Sequence, residues 1–172
     1  MIAPLRIPVA ELIGRPGAVR RVSGAFELPG LVLERTGTGI DPAVVVGLEI
    51  VTIVAGLSVT GSVRARWHGD CRRCLLLMGE VIDVPVSEVF EDDATEAETW
   101  PIAAEHVDLE PVIREALLLA LPLSPLCRPE CAGPDPDRFP TDGAREDETA
   151  SSARDPRWAA LEDLRFDESP SE

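Results

Sequence analysis

The sequence predicts an α+β fold: a mainly antiparallel β-sheet, or a partly closed barrel, with one main helix. Two observations lead to this fold class. Apolar and polar residues alternate along several stretches of the first half of the chain, as they do in strands with one buried face. Apolar residues then recur every three or four positions within 108–121, which is the pattern of an amphipathic helix.

The clearest strand covers residues 57–67, where apolar and polar side chains alternate. Gly69 and Asp70 follow it and predict a turn that ends the strand. Residues 44–54 are rich in valine and isoleucine, and Gly56 allows the chain to turn between the two stretches. The two stretches are therefore predicted to pair as antiparallel strands.

A third strand is predicted at 81–86 and the helix at 108–121. Pro85 cannot donate a hydrogen bond to a neighbouring strand, which places the third strand at a sheet edge or at a bulge. Asp108 is a suitable helix N-cap, and Pro122 ends the helix. The predicted buried face of the helix consists of Leu109, Val112, Ile113, Ala116, Leu117 and Ala120.

The sequence divides into three parts. Residues 1–131 contain the predicted strands, the helix and all four cysteines, and are expected to form one domain. Residues 132–154 are rich in proline, glycine and acidic residues, which predicts a flexible acidic linker. Residues 155–172 are expected to form a short helix and an acidic tail, and the apolar face of that helix would consist of Trp158, Leu161 and Leu164.

The four cysteines form two close pairs that follow predicted elements. Cys71 and Cys74 follow the 57–67 strand with two residues between them, and Cys127 and Cys131 follow the helix with three residues between them. Four thiolates satisfy the tetrahedral coordination of zinc, and such a site leaves no position open for water. The sequence therefore predicts a structural zinc clasp that ties the end of the strand to the end of the helix.

Two other interpretations of the cysteines stay open. Cys71 and Cys74 have the spacing of a thiol redox motif, although no thioredoxin-like strand–helix pattern surrounds them. The four residues could also be unrelated core or free thiols. His68 and Asp135 lie close enough in sequence to replace a cysteine ligand, but their expected roles are those of a surface histidine and a linker carboxylate.

Charge is distributed unevenly along the chain. Residues 1–79 carry nine arginines and six acidic residues, a balance of +3, whereas residues 80–172 carry seven arginines and twenty-five acidic residues, a balance of −18. The net charge of −15 argues against simple electrostatic binding of RNA, and the acidic half favours basic protein partners or simply solubility. Contact with RNA or a partner would use the N-terminal half, where the candidates are Arg64, Arg66, Arg72 and Arg73.

No enzyme motif is present in the sequence, which lacks a glycine-rich phosphate loop, a nucleophile elbow and a paired-histidine metal motif. Neither a secretion signal nor a membrane-spanning run is apparent, so a cytoplasmic location is expected. In that compartment, paired cysteines are more often metal ligands or redox groups than structural disulfides.

Several motifs occur together and in a characteristic order. They are Cys71-Arg-Arg-Cys74-Leu75 after an alternating strand, Glu88-x-Phe90, Asp108-Leu-Glu-Pro-x-x-Arg-Glu-Ala116 and Leu121-Pro-Leu-x-Pro-Leu-Cys127. With these motifs and its N-terminal segment 5–17, the chain resembles the large ribosomal RNA subunit accumulation protein family, the YceD-like proteins of bacteria and plastids. The resemblance covers roughly residues 4–133, together with 158–164.

The resemblance implies a cytoplasmic, non-enzymatic factor that is needed for 23S ribosomal RNA to accumulate and therefore for assembly of the large ribosomal subunit. Its partners would be that RNA, a pre-50S particle or a basic ribosomal protein, without a membrane or a small-molecule substrate. The resemblance also supports metal binding by the four cysteines. Many relatives continue after the second pair with Gly-Leu-Cys-x-x-Cys, whereas here Gly133 is followed by Pro134 and Asp135, so a single four-thiolate site is the simplest arrangement.

Two alternatives to this function belong to other classes. One is a zinc-stabilised protein–protein adaptor without an RNA role, and the other is a Cys-x-x-Cys thiol redox protein. Salt-dependent RNA binding that needs the candidate arginines would favour the first function. A reversible disulfide that forms without zinc would favour the redox protein.

Overall fold

The structure is a computed structural model that describes residues 5–95 and 98–138. Within these residues the chain forms ten strands followed by one helix, α1, at Leu109–Ala120. The strands are β1 (Arg6–Pro8), β2 (Val19–Glu27), β3 (Val32–Leu33), β4 (Thr38–Ile40), β5 (Ala43–Ile53), β6 (Gly56–Asp70), β7 (Leu77–Met78), β8 (Val81–Glu91), β9 (Trp100–Pro101) and β10 (His106–Asp108).

Strand β6 is the longest strand and has neighbours on both edges. Strands β5 and β4 pair with it along one edge, and β8 and β7 pair with it along the other, all in the antiparallel sense. Strand β2 pairs with the far edge of β5, which gives the order β2–β5–β6–β8 for the four long strands. The sheet places the end of β6 at Asp70, directly before the first cysteine pair.

One face of this sheet is buried because apolar residues occupy every second position of its strands. On β5 and β6 this alternation is nearly complete, and the side chains between the buried ones are partly or fully exposed. The buried apolar side chains of β5, β6 and β8 are Val44, Val46, Leu48, Ile50, Leu57, Val59, Val63, Ala65, Trp67, Val84, Val86 and Phe90.

Helix α1 closes the buried face through contacts with β1, β6 and β8. Asp108 caps its N-terminus, where the side-chain carboxylate accepts a hydrogen bond from the backbone N–H of Glu110 at 3.0 Å. At the other end the backbone N–H of Leu121 donates to the carbonyl of Leu118, and Pro122 follows. The buried residues of the helix are Leu109, Val112, Ile113 and Leu117.

The structure confirms a mainly antiparallel sheet with one main helix. It also confirms the 44–54 and 57–67 strand pair, and it places Pro85 on an edge, because the outer side of β8 pairs only at Phe90 and Glu91, with β9. Strands β2 and β8 are not paired with each other in the described part of the chain. The sheet is therefore open, and closure into a barrel is not confirmed.

One predicted boundary is wrong. Gly69 and Asp70 were expected to end the strand in a turn, but they pair with Met78 and Leu77 and extend β6 by a short second hairpin. The backbone N–H and C=O groups of these residues therefore have strand partners that a local turn pattern does not reveal.

Most of the predicted linker and all of the C-terminal segment lie outside the described residues. Only 132–138 of the linker are described, and they contain no strand or helix. The division into a domain, a linker and a C-terminal helix therefore stays a prediction. No helix within 5–95 and 98–138 is both long and apolar enough to cross a membrane.

Candidate metal centre

The two cysteine pairs meet at one end of the sheet. The four sulfur atoms all lie within 4.8 Å of one another, with the Sγ atoms of Cys71 and Cys131 separated by 3.7 Å and those of Cys74 and Cys127 also by 3.7 Å. A tetrahedral ion with metal–sulfur bonds of about 2.3 Å needs sulfur–sulfur distances of about 3.8 Å. The four thiols are free and are spaced so that they can hold one metal ion.

Backbone hydrogen bonds position the first cysteine loop at the end of β6. The N–H of Cys71 donates to the carbonyl of Leu76 at 2.9 Å, and the N–H of Leu75 donates back to the carbonyl of Cys71 at 2.9 Å. The N–H of Arg72 donates at 2.9 Å to the carbonyl of Pro125, in the loop that follows α1. This last hydrogen bond joins the two cysteine loops independently of their sulfur atoms.

Backbone N–H groups also surround the sulfur of Cys71. The N–H of Cys74, with those of Cys127 and Arg73, lowers the pKa of the Cys71 thiol from its ordinary 9.0 to about 6, because hydrogen-bond donors stabilise a thiolate. The Cys71 side chain is fully buried. At neutral pH this sulfur is therefore ready to bind a metal ion with little competition from protons.

The opposite shift occurs at Cys127. Hydrogen bonding to the thiol of Cys131, together with burial and the other two thiols, raises the pKa of Cys127 to about 12. Four sulfur atoms at this separation cannot all carry charge without a cation between them. The electrostatics of the cluster therefore favour a bound cation over four free thiolates.

In the metal-free protein, we expect the thiol of Cys71 to ionise near pH 6, far below those of Cys74 and Cys127. The thiolate of Cys71 forms as the pH rises through this value, whereas Cys127 keeps its proton until strongly alkaline pH. Titration of the ultraviolet absorbance of thiolate measures these steps. The Cys71→Ser variant should lack the low step, and its persistence in that variant would assign it to another cysteine.

Arg73 braces the cluster from outside. Its guanidinium donates through Nη1 to the carbonyls of Cys131 and Pro129, at 2.9 Å and 3.3 Å. The side chain thus crosses from the first cysteine loop to the second. Sequence reasoning assigned Arg73 to RNA or partner contact and missed this role, since nothing in the local pattern shows which carbonyl groups lie within reach.

The other three candidate arginines are exposed, on β6 and the adjoining loop. Arg64 forms an ion pair with Asp83 at 3.6 Å. Within the described residues, the side chains of Arg66 and Arg72 have no hydrogen-bond or ion-pair partner. Arg66 and Arg72 are therefore the cations of this set that are most available to an external ligand.

Neither substitute ligand joins the cluster. His68 lies beside Asp41, with Nδ1 at 3.1 Å from the carboxylate oxygen. The carboxylate of Asp135 accepts a hydrogen bond from the backbone N–H of Arg138 at 3.3 Å. Among the described residues, the only group of metal-ligating side chains is that of the four cysteines.

Comparison with known proteins identifies relatives in mycobacteria. An uncharacterised protein of Mycobacterium tuberculosis H37Rv, Rv2926c, and one of Mycobacterium bovis, Mb2951c, are each 33% identical to this chain over 175 aligned positions, 97% of this chain and 84% of theirs. The uncharacterised protein ML1660 of Mycobacterium leprae is 28% identical over 141 positions, 77% of this chain and 65% of its own. No solved structure matched.

A family model also matches this chain. The family model of the large ribosomal RNA subunit accumulation protein YceD matches residues 59–165. The matched part begins in β6 and contains α1 and both cysteine pairs. The match covers more than half of the chain and names the same family that the sequence motifs resemble. The chain therefore belongs to the YceD family.

Proposed function

We propose that this protein is a non-enzymatic, cytoplasmic factor for the accumulation of 23S ribosomal RNA and for assembly of the large ribosomal subunit. The observation that supports this function is the family match over 59–165, which contains the cysteine cluster and the helix. The described fold adds an antiparallel sheet with two hydrogen-bonded cysteine loops at one end, a scaffold that suits binding to a larger particle.

The metal in this proposal is zinc, held by Cys71, Cys74, Cys127 and Cys131. Thiolate ligands select soft or borderline ions, and a set of four thiolates in a tetrahedron is typical of structural zinc. Zinc would supply folding free energy by linking the end of β6 to the loop after α1. A redox function receives less support, since the sulfur atoms of both loops lie together and pairs at 3.7 Å join one loop to the other.

The proposed contact with RNA uses the exposed face of β6 and the first cysteine loop. Arg66 and Arg72 are exposed there, and Arg64 lies two residues before Arg66 on the same strand. Arginine binds phosphate oxygens through a planar fork of N–H donors. The positive balance of residues 1–79 agrees with this side of the protein facing RNA.

A basic ribosomal protein is the second candidate ligand. Glu88, Glu98 and Glu115 line a cavity of about 310 Å³ beside Trp100, whose indole N–H donates to Glu88 at 3.0 Å. Carboxylates next to an aromatic ring attract lysine and arginine side chains. If this cavity binds a basic ribosomal protein and the chain does not contact RNA, the protein would still act in subunit assembly.

The proposal predicts that the protein migrates with pre-50S particles when a cell lysate is separated by sedimentation. Cells that lack the protein should contain less 23S ribosomal RNA, with 16S ribosomal RNA as the internal control. Two results together would instead indicate an adaptor without an RNA role. The protein would stay at the top of the gradient, and cells from which it is deleted would contain a normal amount of 23S ribosomal RNA.

The double variant Arg66→Ala, Arg72→Ala is expected to weaken RNA binding and reduce its salt dependence. Loss of two phosphate contacts lowers the slope of log affinity against log salt concentration by about 1.4 to 1.8. Arg15→Ala is the matched control, because Arg15 lies at the end of the sheet that is far from the cysteines. The N–H of the nearby Gly17 donates there to the carbonyl of Thr52. Equal slopes for all three proteins would exclude the β6 side as the RNA contact.

A further inference from the structure

Five exposed leucines lie on or beside the two cysteine loops. Leu75, Leu76 and Leu77 follow the first cysteine pair and are 71%, 60% and 70% exposed. Leu123 and Leu126 precede Cys127 on the other loop and are 72% and 37% exposed. The loops are joined by the hydrogen bond from Arg72 to Pro125 and by the sulfur cluster. We call these five residues the leucine surface.

Leu75 is the least expected of these residues. Its backbone φ is 59°, in the left-handed region that glycine and asparagine adopt at lower cost than leucine. Its side chain is nevertheless mostly exposed, so burial within the described residues does not offset that cost. The hydrogen bond from the N–H of Leu75 to the carbonyl of Cys71 closes the turn and holds this backbone, which leaves the apolar side chain in solvent. Exposed apolar side chains that lie together mark binding surfaces.

The sequence contains a segment that matches this surface. Between 132 and 157 the large apolar residues are limited to Phe139, whereas Trp158, Leu161, Leu164 and Phe166 lie close together. The first three recur every three positions and would share one face of a helix, as in peptides that bind an apolar groove. An isolated apolar segment within an acidic tail is typical of a short docking motif.

The segment follows the second cysteine loop closely in sequence. Twenty-six residues separate Cys131 from Trp158, and a flexible chain of that length has a root-mean-square span of about 30 Å. The leucine surface lies next to Cys131, since the sulfur of Cys131 is within 4.8 Å of those of Cys74 and Cys127. Such a tether gives an effective concentration of about millimolar, so even weak docking would be well populated.

The family match covers both proposed partners. It leaves out the strands before β6 but extends through the cysteine loops to residue 165, and so includes Trp158, Leu161 and Leu164. The matched part thus joins the leucine surface and the apolar segment, although the linker between them is rich in proline, glycine and acidic residues.

We propose that residues 155–166 bind in cis to the leucine surface, with Trp158, Leu161 and Leu164 covering Leu75 and its neighbours. The cysteine loops then form a docking site for the end of their own chain.

The test uses the indole N–H resonances of the full chain in NMR spectra. The three tryptophans give three such signals, and Trp158→Phe assigns that of Trp158. We expect this signal to differ in the wild-type protein from that of an isolated 153–168 peptide. In Leu75→Asn it should move to the position of the peptide, while the protein keeps its metal and its fold, since asparagine suits a φ of 59°.

Val54→Asn is the matched control, because Val54 is fully exposed at the β5–β6 turn, at the far end of β6 from the cysteines. It should leave the Trp158 signal unchanged. Leu161→Asn tests the other partner and should shift the amide signals of Leu75, Leu76 and Leu77. The proposal is overturned if the wild-type signal already coincides with that of the peptide, or if Leu75→Asn leaves it in place. If the position of the Trp158 signal depends on protein concentration, the segment binds a second copy of the protein and not its own leucine surface.

Discussion

The Cys131→Ser variant is expected to lose its metal ion and to unfold at a lower denaturant concentration, with a loss of roughly 4 kcal/mol or more. Cys131 is buried, and its sulfur lies 3.7 Å from that of Cys71. A serine hydroxyl is a poor substitute for a thiolate at zinc, and the three remaining sulfurs leave the site incomplete. The end of β6 and the loop after α1 would then lack the link that a metal ion bound by all four sulfurs would supply.

Metal content per chain and urea unfolding are the two measurements for this variant. Wild-type protein treated with a strong chelator should unfold at nearly the same urea concentration as Cys131→Ser, because both lack the same link. Ser124→Ala provides the control, since Ser124 is an exposed residue of the same loop that is not a candidate ligand. Retention of one equivalent of zinc with an unchanged midpoint would contradict the four-cysteine site.

The second large effect is expected at Gly61, in the middle of β6. Its φ of 146° disfavours any side chain, and a Cβ atom there would clash with the carbonyl oxygen of Gly47 and lie 2.9 Å from Cα of Leu48. Strands β5 and β6 would have to separate to admit a methyl group. We expect Gly61→Ala to destabilise the protein by about 3 kcal/mol or more.

Gly47→Ala is the control for this prediction, because Gly47 pairs with Ser62 in the same part of the sheet. A Cβ atom at Gly47 would meet its nearest neighbour at 3.8 Å, an ordinary van der Waals distance. The control should therefore change the free energy of unfolding by less than about 1 kcal/mol. Urea unfolding followed by tryptophan fluorescence compares the two, and equal stabilities would show that the strands adapt to the added methyl group.

Much of the sheet could be predicted because the pattern is strong in its central strands. The 57–67 stretch alternates along almost its whole length, and α1 has both a capping aspartate and a terminating proline. Strand β2 was not predicted, since Ser23 and Gly24 interrupt its pattern and only Val22 and Phe26 of its nine residues are buried. Its place depends on pairing with β5, which local sequence does not encode.

The metal centre also has a part that the sequence predicts and a part that it does not. Cysteine spacing alone predicted four ligands, and the structure brings all four sulfurs together. The contacts that hold the loops were not predictable from the residues beside them, because Arg73 and Arg72 reach groups more than fifty positions further along the chain. The left-handed backbone of Leu75 was also missed, as leucine gives no signal for that conformation.

The separation of the two cysteine pairs along the chain also sets an order of events during synthesis. Strands β2, β5, β6 and β8 are complete at Glu91, whereas Cys127 and Cys131 are translated only after a further 35 and 39 residues. At about 5–20 residues per second, the sheet leaves the translating ribosome about 2–8 seconds before the second pair of thiols. The first pair must therefore remain reduced during that interval, and a metal ion that needs all four sulfurs would bind only when the domain is complete.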